Sequence, residues 1–578
     1  MTGQALKHRS MVDVLHGQAQ RTPDKFAYRY LTHHDVYQSF TYAELDLKAR
    51  AIATALIESG VEKEGRVLLI FPPGIDFIAA FFGCMYANVI AVPAVPPNKH
   101  IGRLYAIAED CQPSLVLSTS KIKQVIHKRF AQDPVVTDLN WLAVEDVPDS
   151  VTTFRGVSVP REEDIAFLQY TSGSTGRPKG VIVTQRNLVH NSYMIQAVSG
   201  HQDEAVIVNW LPLYHDMGII GGILQPLYIG GTCIAMSPLE FLQNPFSWLK
   251  NISDYRGTYS GAPNFAFDLC TQKVTDEERQ TLDLSSWDIA FNSSDVVKFE
   301  TLERFKQKFA PQGFKSSAFC PSYGLAEATL MVTCTLPKET VQVDEHVPTE
   351  LDDEQATSAT DNLSVEHDIA PKRANNVSCG QPGEGMQVRI VNPQTLTSCH
   401  PGRVGEIWIK GPCVARGYWG NPSATEELFH AYTVEGEGPY LRTGDLGYLK
   451  DGALFFKGRI KDVIIIRGRN HYPQDIEDTT EDSHYAIVNH ATAAFSIEHD
   501  GEEKLVVAAE VYRRVADMTS PNELQTQIRS HIVDHHDIQT HDIVLLKEGT
   551  LPKTSSGKVQ RRQTKTLYLT NQLQTAFD

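Results

Sequence analysis

Apolar residues in the first half of the chain recur with two different periods. In TYAELDLKARAIATALIESG, residues 41–60, Leu45, Ala49, Ile52, Ala53 and Leu56 fall on one helical face. Thr41 stands at the start and Gly60 at the end, so the spacing predicts a capped amphipathic helix. The run RVLLIF that follows has strand length without alternation, as expected of a strand covered on both faces. The same pairing recurs in LYAIAEDCQ and PSLVLST. Helices alternating with short buried strands predict parallel α/β sheets. The most apolar stretch, FIAAFFGCMYANVIAVPAVPP, is interrupted by Asn88 and ends in prolines before reaching the ~20 residues of a membrane span. It predicts a buried helix followed by a buried strand, and no transmembrane segment.

From about Val377 to Phe456 the pattern changes. MQVRIVNPQT, GEIWIKGP and YLRTGDLGYLKDGALFFKGR crowd strands and turns together, which predicts a smaller antiparallel or barrel-like unit. After GRIKDVIIIRGRNHYPQDIE the pattern becomes a compact α+β tail reaching residue 578, and a domain boundary is expected near Asp462. The division is therefore 1–461 and 462–578. Between Glu339 and Asp368 lie ten acidic residues and no Lys or Arg. That segment reads either as a solvated loop or as a defined insertion, spanning about 336–376.

At 578 residues the chain has room for roughly three or four domain-sized units at about 150 residues each. A hydrophobic fraction of 42% and a charged fraction of 21% fit an ordinary globular protein. The net charge of −17, from 53 basic against 70 acidic residues, argues against sequence-independent nucleic-acid binding, which needs basic patches. Nine cysteines are dispersed without a CxxC pair, and the N-terminus lacks a continuous apolar signal core. Both favour reduced thiols and a cytoplasmic location.

The segment YTSGSTGRPKG, residues 170–180, concentrates glycines, hydroxyls and a lysine. Glycines let backbone N–H groups approach an anion, hydroxyls add donors, and Lys179 adds charge, so the loop reads as a phosphate cradle. It is not a Walker loop, because Pro178 stands five residues after Gly173, where the second Gly of that pattern, just before its Lys, would be expected. A flexible surface turn is the alternative from composition alone. Four further stretches combine polar residues with glycine where a core would not require them. They are NWLPLYHDMGIIGG (209–222), PSYGLAEATL (321–330), LRTGDLGYL (441–449) with KGRIKD (457–462), and LPKTSSGKVQR (551–561).

Taken together and in this order, these stretches resemble the adenylate-forming superfamily over nearly the whole chain. LPLYHDMGIIGGILQPLYIGG, SPLEFLQNPFSWLKNISDYRGTYSGAPNFAFDLC and PSYGLAEATL are most similar to fatty acyl-AMP ligases. The resemblance implies a large N-terminal domain of two α/β subdomains plus a small β-barrel-like subdomain, followed by a small mobile α+β C-terminal domain. It implies ATP and Mg²⁺ as cofactors and attack of a fatty-acid carboxylate on the α-phosphate of ATP, giving acyl-adenylate and pyrophosphate. It then implies acyl transfer to the phosphopantetheine thiol of a carrier. Since 20 residues follow Lys558, too few for a fused carrier domain, a carrier protein acting in trans is expected. An acyl-CoA synthetase and an inactive nucleotide-binding regulator are the alternatives.

By the same resemblance Lys558 bridges carboxylate and α-phosphate, and Glu327 ligates Mg²⁺. Thr171, Ser172, Gly173, Ser174, Thr175, Gly176 and Lys179 handle the β- and γ-phosphates. Tyr323 and Gly324 lie on the adenine side, Asp445 takes the ribose hydroxyls with Arg459 nearby, and Asp462 is the hinge. His215 either borders the acyl and nucleotide sites or packs its loop. Met217, Ile219, Ile220 and Ile223 fit an acyl-tunnel wall or ordinary core. Where the family usually reads FNGAEPV this chain has FNSSDVV, residues 291–297, so the adenine-side contacts of that loop are not carried over. The acidic segment stands where fatty acyl-AMP ligases carry an insertion. His531, His535, His536 and His541 read as a solvated helix and loop, and no zinc is expected.

Overall fold

The computed structural model describes residues 8–32, 35–97, 101–148, 159–171, 178–345, 375–466, 469–499, 502–516, 520–554 and 557–577. Two α/β sheets form its bulk. The larger has nine strands, whose inner members Phe319–Gly324, Ile289–Asn292, Tyr259–Ala262, Val206–Asn209, Thr232–Ala235 and Phe26–Thr32 run parallel. The second has six strands, in the order Trp141–Ala143, Leu115–Ser118, Arg66–Ile70, Ile90–Ala94, Ile165–Thr171 and Lys179–Thr184. All but the last pair in it are parallel.

The helix expected over 41–60 spans Tyr42–Glu58 and buries Leu45, Ala49, Ile52, Ala53 and Leu56. Thr41 Oγ1 accepts the Glu44 N–H at 3.2 Å while Glu44 Oε2 accepts the Thr41 N–H at 2.8 Å, a reciprocal cap that satisfies two otherwise orphan donors. It packs on helix Ile75–Tyr86, the buried helix expected in FIAAFFGCMY, which leads into the fully buried strand Ile90–Ala94. One continuous core joins the inward faces of both sheets through these helices. An aromatic core built on Trp248, Trp287, Phe267 and Phe305 covers the outer face of the larger sheet.

The smaller unit is a four-stranded antiparallel meander in chain order, Gln387–Val391, Gly405–Lys410, Leu441–Lys450 and Ala453–Arg459. Beyond Asp462 the chain forms its own cores around the sheet Ile487–His499, Glu502–Val511 and Thr540–Lys547. Helices Pro473–Ser483 and Pro521–His536 pack together against it. His531 and His536 are half-buried and His535 is exposed on the second of these helices, with His535 Nδ1 against the His531 carbonyl at 2.8 Å. Among the described residues no helix is long and apolar enough to cross a membrane.

The two ends of the acidic segment are tied together, because Val343–Asp344 pairs antiparallel with Asn376–Val377. Asp344 is buried and accepts from Tyr448 Oη at 3.0 Å and Lys450 Nζ at 2.7 Å, so at this residue the segment is anchored rather than solvated. Glu350, Asp352, Asp353, Glu354, Asp361, Glu366 and Asp368 lie outside the described residues.

Candidate active site

Described residues singled out by sequence gather around the end of the parallel strand Phe319–Gly324, the usual position for a site in an open α/β sheet. Strand Phe319–Gly324 ends in Tyr323 and Gly324, and the chain turns at once through Ala326–Ala328. Leu325 N–H donates to the Leu330 carbonyl at 3.0 Å, closing that turn. A Cβ on Gly324 would fall 1.8 Å from the same carbonyl oxygen, so only glycine permits the close return that presents Glu327. The segment around this glutamate is a single tight turn.

Glu327 is half-buried and held from two sides. Tyr418 Oη donates to its Oε1 at 2.8 Å, and its backbone carbonyl accepts the Ala415 N–H at 2.8 Å. The Tyr418 ring in turn lies under Lys179, with Nζ 4.8 Å from the ring centroid. Lys179 faces Thr171 across the hairpin that carries the expected phosphate loop. Ser172, Gly173, Ser174, Thr175 and Gly176 lie outside the described residues. Strand Lys179–Thr184 is bonded to the segment around Gly417, by Ile182 N–H to Gly417 O at 2.9 Å and Trp419 N–H to Gly180 O at 2.7 Å. Those bonds set strand Lys179–Thr184 beside the segment whose Tyr418 holds Glu327. Tyr418 was missed from sequence; its only signal is a tyrosine in the glycine-flanked ARGYWG.

Asp445 and Arg459 are cross-strand partners in the small sheet, with Arg459 Nε 3.4 Å from Asp445 Oδ1. Asp445 is 7% exposed, and Tyr323 Oη donates to its Oδ2 at 2.8 Å. Burial pushes its carboxyl above the usual carboxylate range, with Arg459 and Tyr323 pulling it back. The TGD turn is fixed from behind by Glu406, 2% exposed, which accepts the Gly444 N–H at 3.1 Å and two bonds from Arg442 at 3.0 and 2.8 Å. Tyr323, expected against adenine, is buried near Phe456 with ring centroids 5.7 Å apart, and its polar contact is with the Asp445 carboxylate.

Lys558 arrives from the far end of the chain. Its loop is self-supporting: Lys558 N–H donates to Thr554 Oγ1 at 3.0 Å, and Thr554 N–H donates to the Lys558 carbonyl at 2.8 Å. Gly557 has φ +85°, and a Cβ there would lie 2.8 Å from the Phe265 ring. The loop thus rests directly on helix Asn264–Lys273 of the larger body. Burial lowers the Lys558 ammonium below the usual lysine range, opposed by Asp295, Asp216 and Asp445 and assisted by Arg459. Three carboxylates from three separate segments, Asp445 on a strand among them, therefore act on one ammonium. A second cation, Lys461, is lowered by burial and by Lys179, Arg459 and Arg562 close by. Such a ring of cations suits a polyphosphate.

His215 Nδ1 lies 2.5 Å from Asp216 Oδ1, which also accepts the Met217 N–H at 2.7 Å. Burial would raise the Asp216 carboxyl, but His215 and that N–H hold it below the usual range. Asp216 and Asp295 were not singled out from sequence, although both stand in segments that were quoted. In FNSSDVV, Asp295 accepts the Val296 N–H at 2.8 Å and Ser293 Oγ donates to the Ser322 carbonyl at 2.9 Å, so the loop keeps an acid near Lys558 at the position where the family pattern has a glutamate. Asp462 ends the turn Ile460–Asp462 and lies 3.7 Å from Arg561.

Behind His215 the segment Met217–Leu224 is a widened, π-helical stretch, a form that concentrates at functional sites. It divides the four apolar residues considered for a tunnel. Met217 lines a cavity of about 30 Å³ with Gly221, Gly222, Tyr259, Gly261 and Phe291. Ile219, Ile220 and Ile223 point instead into the core between the sheets, at 0%, 0% and 1% exposure.

Comparison with known proteins agrees with this geometry. The pattern of the AMP-binding enzyme family matches residues 15–419, and that of the AMP domain of Disco-interacting protein 2-like proteins matches 461–577. A medium-chain-fatty-acid acyl-carrier-protein ligase of Moorena producens is 42% identical over 97% of this chain and 95% of its own. A long-chain-fatty-acid AMP ligase of Mycolicibacterium smegmatis is 36% identical over 95% and 92%. The crystal structure of a fatty acyl-adenylate ligase from L. pneumophila, in complex with acyl adenylate and pyrophosphate, is 38% identical with a TM-score of 0.74, covering 99% of this chain and 97% of that one. The chain belongs to the AMP-binding enzyme family, among its fatty acyl-AMP ligases.

Proposed function

We propose that this protein joins a fatty acid to AMP and then passes the acyl group to the phosphopantetheine thiol of a carrier protein. In the first step a carboxylate oxygen forms a bond to the α-phosphorus of ATP while the bond to the bridging oxygen breaks and pyrophosphate leaves. In the second the thiol sulfur attacks the acyl carbonyl, AMP leaves, and the thiol proton passes to solvent. The observation that carries this reading is the convergence of Lys558 with Asp445, Asp216 and Arg459.

Two anions must meet in the first step, so fixed cations supply most of the catalysis. Lys558 approaches both the carboxylate and the α-phosphate, and Asp295 and Asp216 keep its ammonium in place until substrates arrive. Thr171 and Lys179, with the loop between them, restrain the departing pyrophosphate. Asp445, an acceptor-only group, has lone pairs left for ribose hydroxyls beyond those engaged by Tyr323 and Arg459. His215, fixed by Asp216, stands between this centre and the Met217 cavity. That cavity of about 30 Å³ is too small for an acyl chain as it stands, and the unbranched Met217 is its movable wall.

The residues also fit Mg²⁺. Among the described residues no cluster of three or more His, Cys, Asp or Glu could cage a metal. A single hard carboxylate that binds the ion together with substrate phosphates is the usual Mg²⁺ arrangement, and Glu327, steadied through one oxygen by Tyr418, provides it. When bound, the ion would neutralise phosphoryl charge. The division at Asp462 belongs to the same reading, with the C-terminal body turning about that residue between the two steps.

Support for the carrier as acceptor comes from the 42% identical relative, which is named as an acyl-carrier-protein ligase. Purified protein supplied with ATP, Mg²⁺, fatty acid and either holo-carrier or CoA should charge the carrier in preference. Rapid acyl-CoA formation would contradict that assignment.

A further inference from the structure

Two charged contacts outside the site join the same two bodies that Gly557 brings together on Phe265. The first centres on Asp268, in helix Asn264–Lys273 and 1% exposed. Its carboxylate accepts from Thr301 Oγ1 at 2.6 Å and Arg304 Nη2 at 2.8 Å, both in helix Phe299–Phe309, and faces His490 Nε2 at 2.8 Å. Burial would raise this carboxyl, but His490, Thr301 and Arg304 together draw it down to about 2.

His490 belongs to the C-terminal strand Ile487–His499, and its own backbone is bent to make the contact. It has φ +55°, and the register with Glu502–Val511 slips between Ile487 and Thr492. A bulge with a left-handed histidine re-aims a side chain out of its ladder, at a conformational cost that a contact elsewhere must offset. The second contact is Lys298 with Asp478 Oδ1, in helix Pro473–Ser483. Lys298 immediately precedes helix Phe299–Phe309 and is tied to the other helix through its N–H, which donates to Asn264 Oδ1 at 3.2 Å. Phe265, Asp268 and Lys298 therefore make one seat on two neighbouring helices, and Gly557, His490 and Asp478 are three points of the C-terminal body that rest on it.

We propose that the Asp268–His490 and Lys298–Asp478 pairs form a latch that holds the C-terminal body in the arrangement presenting Lys558 for adenylation, and whose release lets it turn to acyl transfer. This rests on the role given to Lys558 above. Asp268, Lys298, His490 and Asp478 are positioning residues and touch no reacting atom. Removing His490 leaves Asp268 still paired with Arg304 and Thr301, so no buried charge is stranded and the fold is preserved.

The test compares the full-length His490→Ala, Lys298→Met double variant with wild type in three readouts. Hydrogen exchange in 264–273 and 550–558 should speed up at least tenfold without ligand. Fatty-acid-dependent ATP–pyrophosphate exchange should fall at least tenfold, while discharge of chemically prepared acyl-adenylate onto holo-carrier stays equal or rises. The swap Lys298→Glu with Asp478→Lys should recover much of the exchange activity lost by Lys298→Glu alone. Unchanged hydrogen exchange, or equal losses in both half-reactions without rescue by the swap, would overturn the latch. If wild type itself forms no adenylate, the functional reading fails, and hydrogen exchange still decides the latch.

Discussion

Alanine at Lys558 should lower single-turnover adenylation by about 10²- to 10³-fold. A unit charge about 4 Å from developing phosphoryl charge contributes about 4 kcal/mol at an effective dielectric of 20, and each 1.36 kcal/mol realised only in the transition state is tenfold in rate. The loss should be catalytic rather than structural, because both hydrogen bonds that shape the loop use the Lys558 backbone and survive truncation. Lys179→Ala should cost less, since Lys179 restrains the leaving group while Lys558 acts at the reacting centre. Adenylation by Lys558→Ala near the wild-type rate, or a larger loss from Lys179→Ala, would refute this division.

Asn at Asp445 should raise the KM for ATP and lower kcat/KM about 10- to 100-fold, with little change in melting temperature. Hydrogen bonds to a charged group contribute about 1.5–3 kcal/mol each, and the amide replaces a carboxylate able to accept from both ribose hydroxyls by one with a single acceptor oxygen. Burial already disfavours the charge at this position, so neutralising it costs the fold little. The Tyr323 hydroxyl keeps the amide oxygen as its acceptor. An unaltered KM for ATP, measured with saturating fatty acid, would remove Asp445 from the nucleotide site.

What could be read from the sequence was what is local. The helix at Tyr42–Glu58 is legible because its cap, its 3.6-residue period and its terminal glycine all lie within twenty positions. The buried strands were legible for the same reason. Lys558, Glu327 and Asp445 came into view through resemblance, not through spacing, since any one of their short motifs is structural in most proteins. The supports of the site were not legible. Tyr418 meets Glu327 across 91 residues, and nothing near either predicts the other. Asp344 reads as one more acid in an acidic run, yet it is buried against Tyr448 and Lys450. Periodicity could not separate Met217, on the cavity, from Ile219, Ile220 and Ile223 in the core, because a π-helical stretch changes which residues share a face.

The central claim is that the carboxylate of a fatty acid attacks ATP in this site, and pyrophosphate release measured together with acyl-AMP tests it most directly. With ATP and Mg²⁺, wild type should release pyrophosphate only when fatty acid is present, with one acyl-AMP formed for each pyrophosphate. Pyrophosphate release that is absent, or that proceeds without fatty acid or without acyl-AMP, would contradict it.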